Sequence, residues 1–356
     1  MNRPRTTWVG APGEQPSSDL VGGKGRSLDT LHRLGLRVPE AFVVTTEAYR
    51  SAVTGPLATE IDRRVAALRP DADLQTLHSE SSAIRELLIA GTNGHTAETE
   101  ILDAYQRLAE RLGEDAPSVA VRSSSAAEDS ADRSFAGEHD SYLWVLGAEE
   151  VGEAVRRCWA SLFTARAISY RARDGARSTD DAMAVVVQRM VDARCAGVFM
   201  TLNPVNGDRS KVVVESVWGL GEPLVSGTAT PDRFVIDKVT REVLVREVAE
   251  KPTRVTRDPV SGRGVVTVQV DEHDRRRPSL GDEQLLRLLE MARAVERHAG
   301  CPQDGEFAVD SEHVHLVQAR PETVWTCKPT PRVTRDASGA LAHVVTALTS
   351  RTKASD

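Results

Sequence analysis

The sequence predicts an α+β fold built from two or more lobes, and three observations support this prediction. The chain has 356 residues, which is more than one small hydrophobic core usually serves. Segments with helical periodicity and short apolar runs typical of strands occur along most of its length. These helices and strands do not alternate strictly, as they would in a doubly wound parallel sheet.

The composition excludes several classes of protein. Hydrophobic residues make up 40% and charged residues 27% of the chain, values typical of a folded globular protein. A net charge of −7 argues against a nucleic-acid-binding role, and no apolar run is long enough to span a bilayer. The N-terminal residues lack the apolar core of a signal peptide. The cysteines are scattered without a C-x-x-C pair, so we predict no zinc site, no disulfide framework and a cytoplasmic location.

The N-terminal third is predicted to contain a loop, a helix, a strand and then mostly helices. Residues 19–25 form a glycine-rich loop, and the helix after it ends near Gly35, a residue suited to a helix C-terminus. Three leucines form the apolar face of that helix: Leu28, Leu31 and Leu34. Residues 41–45 are apolar and β-branched, which predicts a strand. Residues 57–112 are predicted to be helical, with a loop at residues 91–94.

The remaining two thirds mix short strands with two longer helices. The loop at residues 123–137 is polar, and residues 149–173 have the apolar spacing of a helix. A second helix is predicted at residues 280–298, with Ser279 as its N-cap. The chain then forms a hairpin over residues 306–320. Apolar runs predict further strands at residues 118–122, 141–145, 183–190 and 211–217.

These elements predict one folded unit followed by a tail. We place the unit at residues 1–327 and divide it into lobes at residues 1–115 and 116–327. Residues 328–356 are polar and rich in Thr, Ser and Arg, which predicts a polar C-terminal tail.

The first candidate site is the Gly-Gly-Lys-Gly segment at residues 22–25. Glycines let backbone N–H groups approach phosphate oxygens, and the start of the following helix adds a favourable dipole. Lys24 would supply a mobile positive charge. The spacing is not that of a Walker A loop, which needs G-x-x-x-x-G-K-[ST]. The alternative is an ordinary glycine turn with an exposed lysine.

The second candidate site is Arg122, which ends a predicted strand and precedes three serines. An arginine in this position can bind phosphate through two parallel hydrogen bonds. The Ser-Phe-Ala-Gly segment at residues 134–137 belongs to a loop that could close over phosphates. The alternative is a solvated serine-rich loop without a function.

The third candidate site is the C-terminal hairpin. Period-two alternation places Gln318 and Arg320 on one face of their strand, and a three-residue connecting loop would put Glu306 opposite Gln318. A carboxylate and an amide oxygen are ligands that Mg²⁺ accepts, and it usually shares them with substrate phosphates. Arg320 would neutralise phosphate charge. The alternative is a surface salt bridge between Glu306 and Arg320.

Taken in this order, the segments resemble the ATP-binding domain of the phosphoenolpyruvate synthase, pyruvate phosphate dikinase and rifampin phosphotransferase family. The resemblance extends from about residue 20 to residue 323. Each motif alone is modest, but together in register they are specific. The matching segments are residues 21–25, 38–45, 121–125, 134–137, 188–191, 197–201, 215–222, 231–232 and 318–323.

The resemblance implies an ATP-grasp fold, in which two α+β lobes clamp ATP, and it implies roles for individual residues. The phosphate-binding residues, which are also the catalytic ones, would be Lys24, Arg122 and Arg320. Glu306 and Gln318 would bind Mg²⁺, while Gly137 and Ser141 would belong to the phosphate-covering loop. The residues that contact the adenine edge would be Gln188 and the backbone of Met190 and Val191. Glu215 would help to hold the nucleoside.

The resemblance also implies an unusual reaction. Family members convert ATP to AMP and inorganic phosphate, and the β-phosphoryl group travels on a histidine of a swivelling domain to a small-molecule acceptor. This sequence has no Gly-Gly-x-x-Cys-His carrier segment, so we expect a separate carrier protein, as in phenylphosphate synthase. It also departs from the family at Glu138, where glutamine is expected, and at Met200 and Thr201, which vary a Phe-Thr-rich strand end.

Two other functions stay open at this point. A self-sufficient phosphotransferase or ATP-grasp ligase would act on a small acceptor without a carrier, and ADP as product would favour it. A non-catalytic module would bind the nucleotide without cleaving it. Neither a nucleic acid nor a membrane is expected as a partner.

Overall fold

The computed structural model describes residues 3–69, 71–125, 141–174 and 181–325. Helices and strands are mixed, and residues up to Glu322 form one compact unit. The strands are β1 Thr6–Trp8, β2 Ala41–Val44, β3 Val119–Ser124, β4 Ser141–Val145, β5 Ala184–Arg189, β6 Cys195–Met200, β7 Lys211–Trp218, β8 Asp232–Asp237, β9 Val243–Glu247, β10 Thr253–Arg257, β11 Val265–Gln269, β12 Gln303–Val309 and β13 Val314–Pro321. The helices are α1 Ser18–Arg33, α2 Thr46–Ala52, α3 Gly55–Ala66, α4 Leu74–Gly91, α5 Thr96–Leu112, α6 Ala148–Ala160, α7 Ala165–Asp174, α8 Glu222–Val225 and α9 Asp282–Ala299.

The first sheet has five antiparallel strands in the order β1-β2-β5-β3-β4. One of its faces packs on the helices that follow β2 and β4, through buried residues such as Phe42, Val121 and Val187. The opposite face packs on α1 through Val43 and Val186. Because side chains of a strand alternate between faces, apolar residues at successive positions of β5 bury it on both sides.

The second sheet has six antiparallel strands in the order β13-β12-β6-β7-β8-β9. Helix α9 covers one face, where Phe199, Val214 and Phe307 are fully or almost fully buried. The opposite face carries charged and polar side chains. Strands β10 and β11 pair with each other as a separate ribbon. No helix in the described ranges is long and apolar enough to cross a membrane.

The change from one sheet to the other falls between Arg189 and Cys195, and the division between lobes near residue 115 stays a prediction. Strands β3, β4 and β5 join β1 and β2 in the first sheet. The physical reason is that β5 is buried on both faces and needs a hydrogen-bonded neighbour on each edge, which β2 and β3 provide.

The segment predicted as a glycine-rich loop lies inside α1, so that prediction was wrong. The helix begins at Ser18 and is interrupted at Gly22. The φ of Gly22 is positive (71°) and its ψ is 174°, so its backbone is not helical. The N–H of Gly23 donates to the carbonyl of Ser125 at 3.0 Å. The N–H of Gly25 donates to Ser124 Oγ at 3.1 Å. The interruption thus lets α1 hydrogen-bond to the end of β3.

Two other helix boundaries differ from the sequence prediction. The N-cap of α9 is Gly281 and not Ser279, because the N–H and hydroxyl of Ser279 both donate to the Asp232 carboxylate at 2.7 Å. The helix predicted at residues 149–173 is divided into α6 and α7 by a short 3-10 turn, Ser161–Phe163. The predicted loop at residues 91–94 is confirmed, since α4 ends at Gly91 and α5 begins at Thr96.

Asp232 forms a fully buried ion pair with Lys251. Its Oδ1 accepts a hydrogen bond of 2.5 Å from the Lys251 ammonium, and the two side chains are 0% and 1% exposed. The N–H of Ala249 donates to the same carboxylate at 2.9 Å. Asp232 therefore holds the chain on both sides of the β10–β11 ribbon against β8.

Asp232→Asn is expected to lower the free energy of unfolding by about 3–5 kcal/mol, because it leaves the Lys251 charge buried without a counterion. Urea denaturation measures this loss. A matched control is Glu247→Gln, which removes an exposed partner 3.5 Å from Arg233 and should cost less than about 1 kcal/mol. Equal losses in the two variants would contradict a structural role for the buried pair.

Candidate functional site

The polar face of the second sheet brings three of the predicted residues into one cross-strand row. Gln318 pairs with Glu306, Glu306 with Val198, and Val198 with Glu215. Directly paired residues of antiparallel strands point to the same side of the sheet. The next row on this face begins with Arg320, which pairs with Asp304. Acidic, amide and basic side chains therefore line one surface opposite α9.

A β-bulge sets the pairing of Glu306 with Gln318. The sequence predicted this pair from a three-residue loop, but β12 and β13 are joined by a four-residue loop between Val309 and Val314. The register shifts after Glu306, so that Phe307 pairs with Leu316 and Val317 is the extra residue. The predicted pair is confirmed, and the bulge rather than the loop length produces it.

A second polar group lies on the α1-covered face of the first sheet. Arg122 pairs with Val186 on one side and with Ser141 on the other. Gln188 pairs with Ala120, two positions before Arg122 on β3, so its side chain is on the same face. The first sheet therefore presents Arg122, Gln188 and Ser141 together on one side.

Arg122 connects the two polar faces. Its Nη2 donates to Glu306 Oε2 and to Gln318 Oε1, each at 2.9 Å, and its Nη1 donates to the Val317 carbonyl at 3.2 Å. The Arg122 side chain is 14% exposed, against 33% for Glu306. Arg320 instead lies 4.0 Å from Asp304. The surface salt bridge considered between Glu306 and Arg320 is therefore not formed; Arg122 takes that place.

Helix α1 brings Lys24 to the same region. The Lys24 ammonium donates to the carbonyl of Ser123 at 2.9 Å, next to Arg122 in β3. The Ser27 hydroxyl donates to the Ala319 carbonyl at 2.5 Å and accepts from the Ala319 N–H at 3.2 Å. One turn of α1 is thus fixed to β3 of the first sheet and to β13 of the second.

Asp304 belongs to this site, although the sequence did not single it out. Its carboxylate lies two residues before Glu306 on the polar face, and its Oδ1 is buried without a hydrogen-bond partner in the described ranges. Burial raises the pKa of Asp304 to about 6; nearby Arg320 opposes this rise and Glu322 adds to it. Period-two spacing from Glu306 was the signal that could have identified it.

The residues that the resemblance assigns to the nucleoside occupy different environments. Gln188 is 2% exposed and its Nε2 has no hydrogen-bond partner among the described residues. The Met190 N–H donates to the Ser118 carbonyl at 2.9 Å, and Val191 follows it half-buried. Glu215 is half-buried on the polar face of the second sheet. Gly137 and the departure at Glu138 lie outside the described residues.

Glu306 and Gln318 are suited to hold a magnesium ion. Their side-chain oxygens both lie 2.9 Å from one nitrogen of Arg122, so they converge on a single cationic group. In the described part of the chain no cluster of three His, Cys, Asp or Glu residues could hold a metal ion. A carboxylate oxygen and an amide oxygen that converge in this way could bind Mg²⁺ together with substrate oxygens.

A family model described as the pyruvate phosphate dikinase AMP/ATP-binding domain matches residues 18–339. The probable phosphoenolpyruvate synthase of Pyrococcus abyssi is 37% identical over 342 residues, which cover 85% of this chain and 42% of that protein. The phosphoenolpyruvate synthase of Pyrococcus furiosus has the same identity and coverage. The probable phosphoenolpyruvate synthase of Archaeoglobus fulgidus is 40% identical, over 85% of this chain and 40% of its own length.

The chain spans about two fifths of the length of these curated relatives. The matched region includes every strand and helix that carries the residues described above. The similarity thus extends across both polar faces and the helix that joins them.

Proposed function

Because the chain belongs to the family of the pyruvate phosphate dikinase AMP/ATP-binding domain, we propose that it binds MgATP between its two sheets in an ATP-grasp arrangement and activates a phosphoryl group for transfer. One observation carries the proposal: Arg122 of the first sheet contacts both Glu306 and Gln318 of the second. A phosphate-binding cation and two Mg²⁺ ligands thus meet between the sheets. The two nucleotide-clamping lobes are part of this proposal.

The phosphate end of the site would contain the three cations and the metal. Phosphoryl transfer needs in-line positioning and neutralisation of phosphate charge more than covalent help from the protein. Lys24, Arg122 and Arg320 would neutralise and orient the phosphates, beside Ser141 at the start of β4. Gly137 keeps the phosphate-covering role that the resemblance implies. Mg²⁺ bound by Glu306 and Gln318 would supply the remaining positive charge.

The nucleoside end would lie along the first sheet and the middle of the second. The buried Gln188 amide would donate to an acceptor nitrogen of adenine, which would satisfy a polar group that otherwise carries a desolvation cost. The backbone of Met190 and Val191 would border the base. The Glu215 carboxylate could accept hydrogen bonds from ribose hydroxyls.

The proposed reaction converts ATP, a histidine and water into AMP, phosphohistidine and inorganic phosphate. The β-phosphoryl group would form a bond to a histidine nitrogen of a separate carrier protein, which later transfers it to a small-molecule acceptor. The names of the similar proteins point to pyruvate as an acceptor, and the carrier would determine which molecule is phosphorylated.

The test uses ATP labelled in its β-phosphate, together with the full chain and the histidine-bearing part of a phosphoenolpyruvate synthase as carrier. We expect AMP and an acid-labile label on the carrier. Release of ADP in the presence of a small acceptor, without the carrier, would favour a self-sufficient phosphotransferase or ligase. Nucleotide binding without cleavage under either condition would favour a non-catalytic module.

Arg320→Ala is expected to lower AMP formation by at least about 100-fold, because the transition state loses a phosphate-neutralising cation. The fold should persist, since the Arg320 side chain is 53% exposed and its acidic neighbour is 4.0 Å away. Arg241→Ala is the matched control, because Arg241 is exposed and pairs with Glu290 on α9, away from the polar face. A fully active Arg320→Ala protein would refute the assignment of this residue.

A further inference from the structure

Arg122 holds the same two oxygen atoms that are suited to bind the metal ion. We propose that Arg122 and the divalent ion compete for Glu306 and Gln318, so that the ion binds tightly only when nucleotide phosphates have drawn Arg122 away. This inference rests on the proposed function and adds a rule for the order in which the site is filled. Metal and nucleotide would therefore bind cooperatively.

The geometry explains why the two cations exclude each other. Nη2 of Arg122 lies 2.9 Å from both side-chain oxygens, while Mg²⁺ requires ligand oxygens at about 2.0–2.1 Å. An ion bound by both oxygens would need the space between them, which this nitrogen occupies. The ion can therefore enter only if the guanidinium moves or gives up both hydrogen bonds.

The β-bulge fixes the guanidinium in this blocking position. Nη1 donates to the carbonyl of Val317, the extra residue of the bulge, at 3.2 Å. Three acceptors of one hairpin therefore hold one arginine, and its side chain is largely buried. A buried charged group that is hydrogen-bonded in this way leaves its partners only for a comparable ligand.

Nucleotide phosphates are such a ligand, because guanidinium and phosphate form bidentate hydrogen bonds. When Arg122 turns to a phosphate, the Glu306 carboxylate loses its counterion and attracts Mg²⁺. By linkage, a metal ion that binds better beside the nucleotide must also increase the affinity for the nucleotide by the same factor. The contact would thus make both affinities interdependent.

The test measures binding of Mn²⁺, as a probe for Mg²⁺, by electron paramagnetic resonance in the full chain. Titrations are made with and without a non-hydrolysable ATP analogue. Without nucleotide, Arg122→Met should bind Mn²⁺ at least about tenfold more tightly than the unmodified chain, within the usual range of coupling between sites. The nucleotide analogue should tighten Mn²⁺ binding by a larger factor in the unmodified chain than in Arg122→Met, because in the variant only direct coordination by the phosphates adds affinity.

Arg320→Met is the matched control, because it also removes one guanidinium from the site, but from a residue that lies beside Asp304 and not beside Glu306. An equal gain in Mn²⁺ affinity in both variants would indicate general electrostatics and overturn the competition. Arg122→Lys is a second variant in case methionine disturbs the fold. One ammonium group cannot match the two parallel hydrogen bonds of the guanidinium. We therefore expect Arg122→Lys to bind Mn²⁺ with an affinity between those of the unmodified chain and Arg122→Met.

The failure of this inference differs from the failure of the proposed function. If the unmodified chain binds no Mn²⁺ even with the nucleotide analogue, the proposed metal site is wrong. If it binds Mn²⁺ with the analogue, but Arg122→Met shows no gain without it, only the competition is wrong. Loss of Mn²⁺ binding in Glu306→Gln would confirm that the measured ion is at this site.

Discussion

Glu306→Gln is expected to reduce AMP formation by at least about 100-fold. The substitution preserves the shape of the side chain and an oxygen that can accept from Arg122, but it removes the negative charge. Mg²⁺ would then have two neutral amides as protein ligands, which bind this hard cation more weakly than a carboxylate does. The measurements are AMP formation with the carrier and Mn²⁺ binding in the presence of an ATP analogue.

Glu312→Gln provides the same chemical change outside the site. Glu312 lies in the loop between β12 and β13, and its side chain is 77% exposed. We expect this variant to retain activity and Mn²⁺ binding. If Glu306→Gln retained them as well, the carboxylate would not be a metal ligand and the proposed phosphate end of the site would need another cation.

The sequence identified the segments of the site but not the contact that unites them. Period-two alternation was sufficient to place Gln318 and Arg320 on one face, because that pattern is local. The alternative considered for Glu306 was a salt bridge with Arg320, its neighbour in the hairpin, whereas the structure shows a contact with Arg122, 184 positions away. Such a contact depends on how the two sheets pack against each other, and local sequence patterns do not predict that packing.

The register of the hairpin and the role of Asp304 show the same limit on a smaller scale. A three-residue loop gave the correct pair for Glu306, but the molecule reaches it with a longer loop and an extra residue at Val317. Asp304 resembles an ordinary surface acid in the sequence. Burial of its carboxylate raises the pKa of Asp304. That burial depends on the folded structure, so the local sequence does not predict it.

Local sequence patterns also did not predict which strands belong to which sheet. The segment predicted to be mostly helical, residues 57–112, separates β2 from β3 along the chain, and the predicted division between lobes follows it near residue 115. The first sheet nevertheless inserts β5 between β2 and β3. The apolar sequence of β5 indicates a strand that is buried on both faces. It does not indicate which strands, here β2 and β3, pair with its two edges.

Gly22→Ala is expected to lower the free energy of unfolding by about 3 kcal/mol or more and to weaken nucleotide binding. A Cβ at this position would lie 2.1 Å from the backbone oxygen of Ser124, and the residue has a φ of +71°. Backbone cannot yield as a flexible side chain does, so α1 must move away from β3. That movement would displace Lys24 from Ser123 and strain the contact of Ser27 with Ala319.

Urea denaturation and titration with a fluorescent ATP analogue measure the two effects. Gly35→Ala separates backbone strain from steric conflict, because Gly35 also has a φ of +71° but nothing lies within 4 Å of its Cβ position. This control should cost only about 1 kcal/mol and leave nucleotide affinity unchanged. If the two variants behaved alike, the close approach of Gly22 to Ser124 would not be what positions Lys24. A larger loss in Gly22→Ala would support the view that the glycine segment orders the phosphate end through helix–strand contact, and not as a flexible phosphate-binding loop.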